Sequence, residues 1–207
     1  MAGNEYSITR NCVYIAVSLL AVFVLAIVVI YLPQTRDIDF QIIHALQVAV
    51  SYFPVTFPQF VSGFGGADYW LWPRLTAVAV MASHKNYVRA FLFIVVTQAI
   101  FLFNNGFIKT IVCRQRPCAD FTGYSFPSGH CSFVVCFFGI LIYLIHRYVR
   151  TDWWRTLLIT LFTVWIVLIG VSRMWLSAHF LTDVIAGYLV GFAFVNLYII
   201  LDKFFSK

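Results

Sequence analysis

The sequence predicts an all-α polytopic membrane protein with six transmembrane helices and an amphipathic surface helix between the first two. Composition is the first observation: 62% of the 207 residues are hydrophobic and 11% are charged, whereas soluble domains carry about 25% charged residues. The second is that the apolar residues form runs long enough to cross a bilayer. The third is an aromatic share of 19%, because aromatic rings favour membrane interfaces and helix packing. An ordinary water-soluble domain and a disordered chain are both excluded.

Six apolar runs are the candidate spans. A helix needs roughly 20 residues to cross about 30 Å of hydrocarbon, and the run at 12–32 contains no charge. The run at 69–83 is shorter, and its Pro73 suits a first helical turn. The others are residues 88–108, 130–145, 154–171 and 180–201. We expect the whole chain, 1–207, to form one membrane-embedded domain.

Residues 37–52 are expected to form an amphipathic helix on the membrane surface. Polar and apolar side chains recur there at helical spacing on opposite faces. The polar set is Asp37, Gln41, His44, Gln47 and Ser51, and the apolar set is Ile38, Ile42, Ala45, Leu46 and Ala49.

The net charge of +6 predicts orientation in a membrane rather than nucleic-acid binding, because the basic residues lie in short loops between apolar runs. With the N-terminus inside, the inner loops contain Arg10, Lys85, Arg89, Arg147, Arg150, Arg155, Lys203 and Lys207, and the outer loops contain Arg36, Arg74, Lys109, Arg114, Arg116 and Arg173. Three of the outer cations are candidate site residues, and Arg114 is interpreted as a topology anchor. The remaining bias places both termini in the cytoplasm.

Two outer segments, residues 109–130 and 172–183, contain most of the residues suited to catalysis. Two predicted spans separate them, so both emerge on the same side of the membrane. Arginine grips phosphate oxygens with two parallel N–H donors, and lysine adds a point charge. Lys109, Arg116 and Arg173 are therefore candidate phosphate-binding residues.

Ser128 and Gly129 open the fourth span. Ser128 is placed to cap a helix whose first N–H groups and positive dipole end bind anions. A glycine beside the cap lets a phosphate approach the backbone closely. Together with the three cations, these residues predict a site for a tetrahedral oxyanion.

His179 and Asp183 are four residues apart and share one face of the last helix. A carboxylate that accepts one ring N–H fixes the tautomer and leaves the other nitrogen as a nucleophile. His130, on the facing loop, is the candidate general acid. The sequence contains no carboxylate-rich metal cage, and we expect neither a metal nor a cofactor.

These residues form three motifs that resemble the signature motifs of the type 2 phosphatidic acid phosphatase superfamily. The motifs are Lys109-x6-Arg116-Pro117, Pro127-Ser128-Gly129-His130 and Ser172-Arg173-x5-His179-x3-Asp183. The resemblance implies a metal-independent lipid phosphatase that works through a phosphohistidine on His179. By motif position, Asp183 orients His179 and His130 is the acid, while the phosphate is held by Lys109, Arg116, Arg173, Ser128 and Gly129.

The expected partners are a phosphorylated lipid substrate and the lipids of the membrane. Candidate substrates are phosphatidylglycerol phosphate, undecaprenyl diphosphate, phosphatidic acid and the phosphates of lipid A. A phosphotransferase that passes the phosphoryl group to another lipid would use the same motifs, and an anion transporter is an alternative of a different class. Transporters often contain broken helices and repeats, and the sequence shows neither. Compact loops without an Asn-x-Ser/Thr acceptor favour a bacterial inner membrane.

Cys113 and Cys118 bracket Arg116 in one outer loop. A disulfide between them would hold Arg116 towards the phosphate, and disulfides persist outside the cytoplasm. Two nearby cysteines also often stay reduced, so the sequence leaves both states open.

Overall fold

The computed structural model describes the backbone of residues 2–64 and 71–205, and the side chains of residues 7–64 and 74–205. Every regular element within these ranges is a helix, as the sequence predicts. The helices are α1 (Ala2–Tyr31), α2 (Gln34–Ala49), α3 (Thr56–Gly63), α4 (Leu71–Ser83), α5 (Tyr87–Leu102), α6 (Lys109–Val112), α7 (Gly129–Tyr148), α8 (Asp152–Trp175) and α9 (Leu181–Phe205), with a π-helical segment (Phe103–Ile108) joining α5 to α6.

Five helical stretches in the described part of the chain are long and apolar enough to cross a membrane. They are Ser7–Tyr31, Tyr87–Val112, Gly129–Tyr148, Asp152–Trp175 and Leu181–Phe205, and each coincides with a predicted span. The remaining predicted span, 69–83, corresponds to α4, while residues 69 and 70 lie outside the described residues. α4 has 13 residues, which gives about 20 Å at 1.5 Å per residue, less than the roughly 30 Å of hydrocarbon. The count of six spans therefore stays a prediction.

Helix α9 lies at the centre of the bundle and packs against α1, α5 and α7. Glycines bring α7 and α9 unusually close together. A Cβ atom built on Gly187 would lie 2.6 Å from the carbonyl oxygen of Ser128, and one built on Gly191 would lie 2.7 Å from that of Ser132. Gly187 and Gly191 thus form a small-xxx-small pattern that allows close helix packing. This pattern holds the first turn of α7 against the first turns of α9.

Helix α2 confirms the predicted amphipathic helix, but it begins and ends three residues earlier than the predicted range 37–52. The face turned towards the bundle includes the buried residues Asp39 and Ile43. Gln47, a member of the predicted polar set, contacts the helix bundle. Its Nε2 donates to the carbonyl of Trp175 and to Oγ of Ser177, both at 3.0 Å, because the helix docks on the α8–α9 connection.

A network of charged side chains lies at the end of the bundle opposite to α2. Asp202 of α9 is fully buried and pairs with Arg89 at 2.7 Å and with Arg147 at 3.1 Å. Tyr143 donates its hydroxyl to the same carboxylate at 2.8 Å. Two cations that the sequence places on the inner side are therefore tied to the central helix.

The close approach of α7 and α9 predicts that Gly187→Ala destabilises the protein. The added methyl group must displace the backbone of α7, and overpacking of this kind costs about 1–3 kcal/mol. Thermal unfolding in detergent should show a lower midpoint for this variant. Gly106→Ala is the matched control, because a Cβ atom there meets nothing within 4 Å. Equal midpoints for the two variants would contradict the packing argument.

Candidate active site

The first turn of α7 is fixed by hydrogen bonds on both sides. Oγ of Ser128 accepts from the backbone N–H of Cys131 at 3.5 Å, which makes Ser128 the predicted N-cap. The N–H of Ser128 donates to the carbonyl of Asp183 at 3.0 Å. The start of α7 is therefore attached directly to the helix that carries the predicted orienting carboxylate.

The π-helical segment positions polar side chains above this turn. Nδ2 of Asn104 donates to Oγ of Ser132 at 2.6 Å. A Cβ atom built on Gly129 would lie 3.7 Å from Oδ1 of Asn105 and 3.8 Å from Nζ of Lys109. The ammonium group of Lys109 therefore lies beside Gly129. Short π segments of this kind often occur at functional sites. The hydrophobic pattern of the sequence did not predict this one.

His179 lies in the short connection between α8 and α9 and is 1% exposed. Its backbone N–H donates to the carbonyl of Arg173 at 3.2 Å. Ser177, two residues earlier, has a φ of 51°, in the left-handed region that residues other than glycine rarely adopt. The connection is thus a tight turn that places the imidazole beneath the end of α8.

The imidazole of His179 lies between a cation and a carboxylate. Nη1 of Arg116 is 3.1 Å from Nε2, and because a guanidinium only donates, Nε2 is the acceptor and carries the lone pair. Nδ1 faces Oδ2 of Asp183 at 3.6 Å, a distance longer than a hydrogen bond. His179 precedes α9, so the prediction that it shares a helical face with Asp183 is wrong. The two side chains are adjacent without a direct hydrogen bond, and Nε2 is turned towards Arg116.

Burial lowers the pKa of His179 to about 4, and the cations of Arg173 and Arg116 contribute to the shift while Asp183 opposes it. The ordinary value for histidine is about 6.5. Because the pKa in the folded protein lies below that value, the imidazole is neutral at pH 7. A neutral imidazole is the form that can act as a nucleophile.

Arg116 is held in place by main-chain carbonyls rather than by a disulfide. Its Nε donates to the carbonyl of Gly123 at 3.0 Å, and its Nη1 donates to that of Ala178 at 2.9 Å. The bridge between Cys113 and Cys118 is absent, since both are free thiols. Cys113 instead ends α6 in a left-handed conformation, with a φ of 50°.

A cavity of about 290 Å³ connects these elements. Five of the eight predicted site residues line it, namely Lys109, Arg116, Gly129, His130 and His179. The other three predicted site residues do not line the cavity. Ser128 caps α7, Asp183 lies behind His179, and Arg173 donates to Oγ of Ser62 while its Cζ stacks 5.4 Å from the ring centroid of Phe121. The cavity is larger than a single phosphate group and is bordered by two of the three predicted phosphate-binding cations.

Arg114 is part of this site, and its interpretation as a topology anchor is wrong. It pairs with Asp183 at 2.6 Å and with Asp39 of α2 at 2.8 Å. Its Cζ lies 4.1 Å from the ring centroid of Phe180. Asp39 also accepts from the hydroxyl of Thr182 at 2.6 Å. An arginine between two buried carboxylates thus ties the surface helix α2 to the start of α9.

Comparison with known proteins identifies the family. The family model described as the PAP2 superfamily matches residues 86–206, more than half of the chain. The chain belongs to the PAP2 superfamily. This confirms the resemblance seen in the three motifs.

This chain is similar to a curated protein, phosphatidylglycerophosphatase B of Bacillus subtilis (strain 168). It is 31% identical to this chain over 94 residues, which cover 42% of this chain and 45% of the relative. The match thus spans less than half the length of that relative. A solved crystal structure, of a transmembrane PAP2-type phosphatidylglycerolphosphate phosphatase from Bacillus subtilis, has a TM-score of 0.78 with 22% identity, covering 92% of this chain and 96% of that one. It shows that the two chains share a fold.

The network around Arg114 predicts unequal losses when its members are neutralised. Asp39→Asn leaves Arg114 paired with Asp183 and removes one charged hydrogen-bond partner, a loss of about 1.5–3 kcal/mol. Arg114→Gln leaves two carboxylates buried without their cation and should cost about 3–5 kcal/mol. Denaturation in detergent gives the order of stability.

Asp37→Asn is the matched control for this series, because Asp37 is exposed on the same helix. Its stability should equal that of the unmodified protein. Equal stability of the Asp37→Asn and Asp39→Asn proteins would contradict the role given to Asp39.

Proposed function

We propose that this protein is an integral-membrane lipid phosphatase that hydrolyses a phosphate or diphosphate ester of a lipid. The observation that supports this best is the position of His179, which lines a cavity together with Lys109 and Arg116 and whose Nε2 accepts a hydrogen bond from Arg116. Membership of the PAP2 superfamily supports the same activity, as do the names of the Bacillus subtilis protein and of the crystal structure that this chain resembles. The whole chain, 1–207, is proposed to act as one domain.

The proposed reaction has two steps that share one covalent intermediate. Nε2 of His179 attacks the phosphorus atom, the bond from phosphorus to the lipid oxygen breaks, and His130 donates a proton to the departing oxygen. A water molecule then attacks the phosphohistidine, His130 accepts a proton from it, and inorganic phosphate leaves. Asp183 orients the ring and stabilises the positive charge that His179 acquires.

The phosphate is proposed to bind between Lys109, Arg116 and Arg173 on one side and the first turn of α7 on the other. The backbone N–H groups of Gly129 and His130 are proposed to donate to the anion, and a helix N-terminus adds a positive dipole. Fixed cations and N–H donors stabilise the charge of the phosphoryl group in the transition state of its transfer. They supply the neutralisation that magnesium provides in other phosphoryl transfers, so the proposed reaction needs no metal.

The proposed location is a bacterial inner membrane, with both termini in the cytoplasm and the active site at the outer face. The distribution of basic residues in the sequence supports this orientation. Phosphatidylglycerol phosphate is the first candidate substrate, because both relatives from Bacillus subtilis are named for that lipid.

His179→Ala is predicted to abolish the release of inorganic phosphate from lipid phosphates in mixed micelles, because the proposed covalent intermediate forms on this imidazole. His146→Ala is the control, since His146 is exposed at the far end of α7. It should keep normal turnover. A His179→Ala protein that still releases phosphate at the normal rate would rule out the proposed mechanism.

Metal removal provides a separate prediction. Turnover should persist in excess EDTA, because the proposed charge stabilisation comes from fixed side chains. Vanadate, which adopts the trigonal bipyramidal geometry of the transition state, should inhibit. Activity that disappears in EDTA and returns with added magnesium would contradict the metal-free reaction.

A further inference from the structure

The catalytic cavity has a second polar wall outside the three motifs. Arg74 of α4 and Gln98 of α5 line the same cavity as His179 and Lys109. Nη1 of Arg74 lies 3.5 Å from Oε1 of Gln98. The Cζ atom of Arg74 is 5.1 Å from the ring centroid of Phe133. The two side chains thus form one polar patch within the cavity.

This patch lies deeper in the helix bundle than the proposed phosphate-binding residues. Gln98 precedes Lys109 along the same span by about 16 Å at 1.5 Å per residue. Phe133, which Arg74 contacts, lies about one turn, or 5.4 Å, inward from Gly129. The cavity therefore offers cations at two depths, with Lys109 and Arg116 above and Arg74 below.

A half-buried arginine calls for an anionic partner, because burying a charge is costly unless it is compensated. No described carboxylate forms an ion pair with Arg74. Its Nε is buried and has no hydrogen-bond partner among the described side chains. The amide of Gln98 sits beside it on an exposed face of α5. Both groups are available to a polar ligand in the cavity.

An apolar groove of about 1130 Å³ begins one turn further inward, between α4, α7 and α8. Ala77 follows Arg74 on α4 and Phe137 follows Phe133 on α7, and both line this groove. Leu141 and Trp165 extend its apolar wall. A lipid whose headgroup occupies the cavity therefore has a place for its hydrocarbon chains directly below Arg74.

Building on the proposed function, we propose that Arg74 and Gln98 bind a second phosphate group of the substrate lipid, deeper than the phosphate transferred to His179. A guanidinium binds phosphate oxygens with two parallel N–H donors, and the amide of Gln98 adds another donor. The substrate class is then a lipid with two phosphates. In phosphatidylglycerol phosphate the second phosphate is a diester across a glycerol, and in an isoprenyl diphosphate it is directly attached. Phosphatidic acid carries a single phosphate and would leave Arg74 without this partner.

The test compares kcat/KM for phosphatidylglycerol phosphate, undecaprenyl diphosphate and phosphatidic acid, with the full-length protein in mixed micelles. Arg74→Gln should lower the ratio of kcat/KM for a two-phosphate lipid to that for phosphatidic acid by about tenfold or more, the usual loss for a charged hydrogen bond. Arg74→Lys keeps the charge and should lose less. Gln98→Leu should lower the same ratio by a smaller factor, and it tests the patch independently if Arg74→Gln does not fold.

Arg36→Gln is the matched control, because Arg36 is an exposed arginine of α2 that contacts Phe40 and does not line the cavity. Its substrate ratio should equal that of the unmodified protein. A fall confined to phosphatidylglycerol phosphate or to the diphosphate supports the patch and shows which spacing it fits. An unchanged ratio, or an equal loss on all three lipids, overturns the second-phosphate site and leaves the proposed function standing. If the unmodified protein hydrolyses none of the three, the proposed function itself fails.

Discussion

Asp183 is a carboxylate buried completely inside a membrane bundle, and the arrangement of the site depends on compensating its charge. Arg114 pairs with it at 2.6 Å, the backbone N–H of Phe180 donates to it at 2.9 Å, and His179 faces it at 3.6 Å. An uncompensated charge in such a place would cost several kcal/mol. The compensation comes from the loop before α7 and from the α8–α9 connection. Arg114 also pairs with Asp39 of α2, so these elements come together where the carboxylate lies.

The same compensation sets the chemistry available to His179. The carboxylate lies on one side of the ring, while Arg116 donates to Nε2 at 3.1 Å on the side that lines the cavity. Burial keeps the imidazole neutral, with a pKa of about 4. Bringing an anionic phosphate into this cavity adds a negative charge next to fixed cations, which favours binding and also favours the positive charge that a phosphorylated imidazole carries. The packing at Gly187 holds α7 against α9, and the first turn of α7 forms another wall of the cavity.

Much of the fold and of the candidate site could be predicted from the sequence, because hydrophobic runs and closely spaced motif residues are local signals. The spans, the cap at Ser128 and the His179–Asp183 spacing are of this kind. Asp39 could not be found in this way, since its partner Arg114 is far along the chain and α2 shows only an amphipathic pattern. The π segment before Lys109 depends on packing rather than on residue type. Arg74 has the sequence context of any charge at the end of a span, and only the fold places it in the cavity.

The central claim is that His179 becomes covalently phosphorylated during turnover, and detection of that intermediate tests it most directly. Protein with the His130→Ala change, mixed with a phosphate ester whose leaving group needs no protonation and quenched rapidly in base, should accumulate phosphate, because the first step then does not need the acid while the residue proposed to activate water is missing. Mass spectrometry of the digested protein should then place an acid-labile phosphate on His179. Phosphate on another residue, or full turnover with no phosphorylated protein at any time point, would contradict the account.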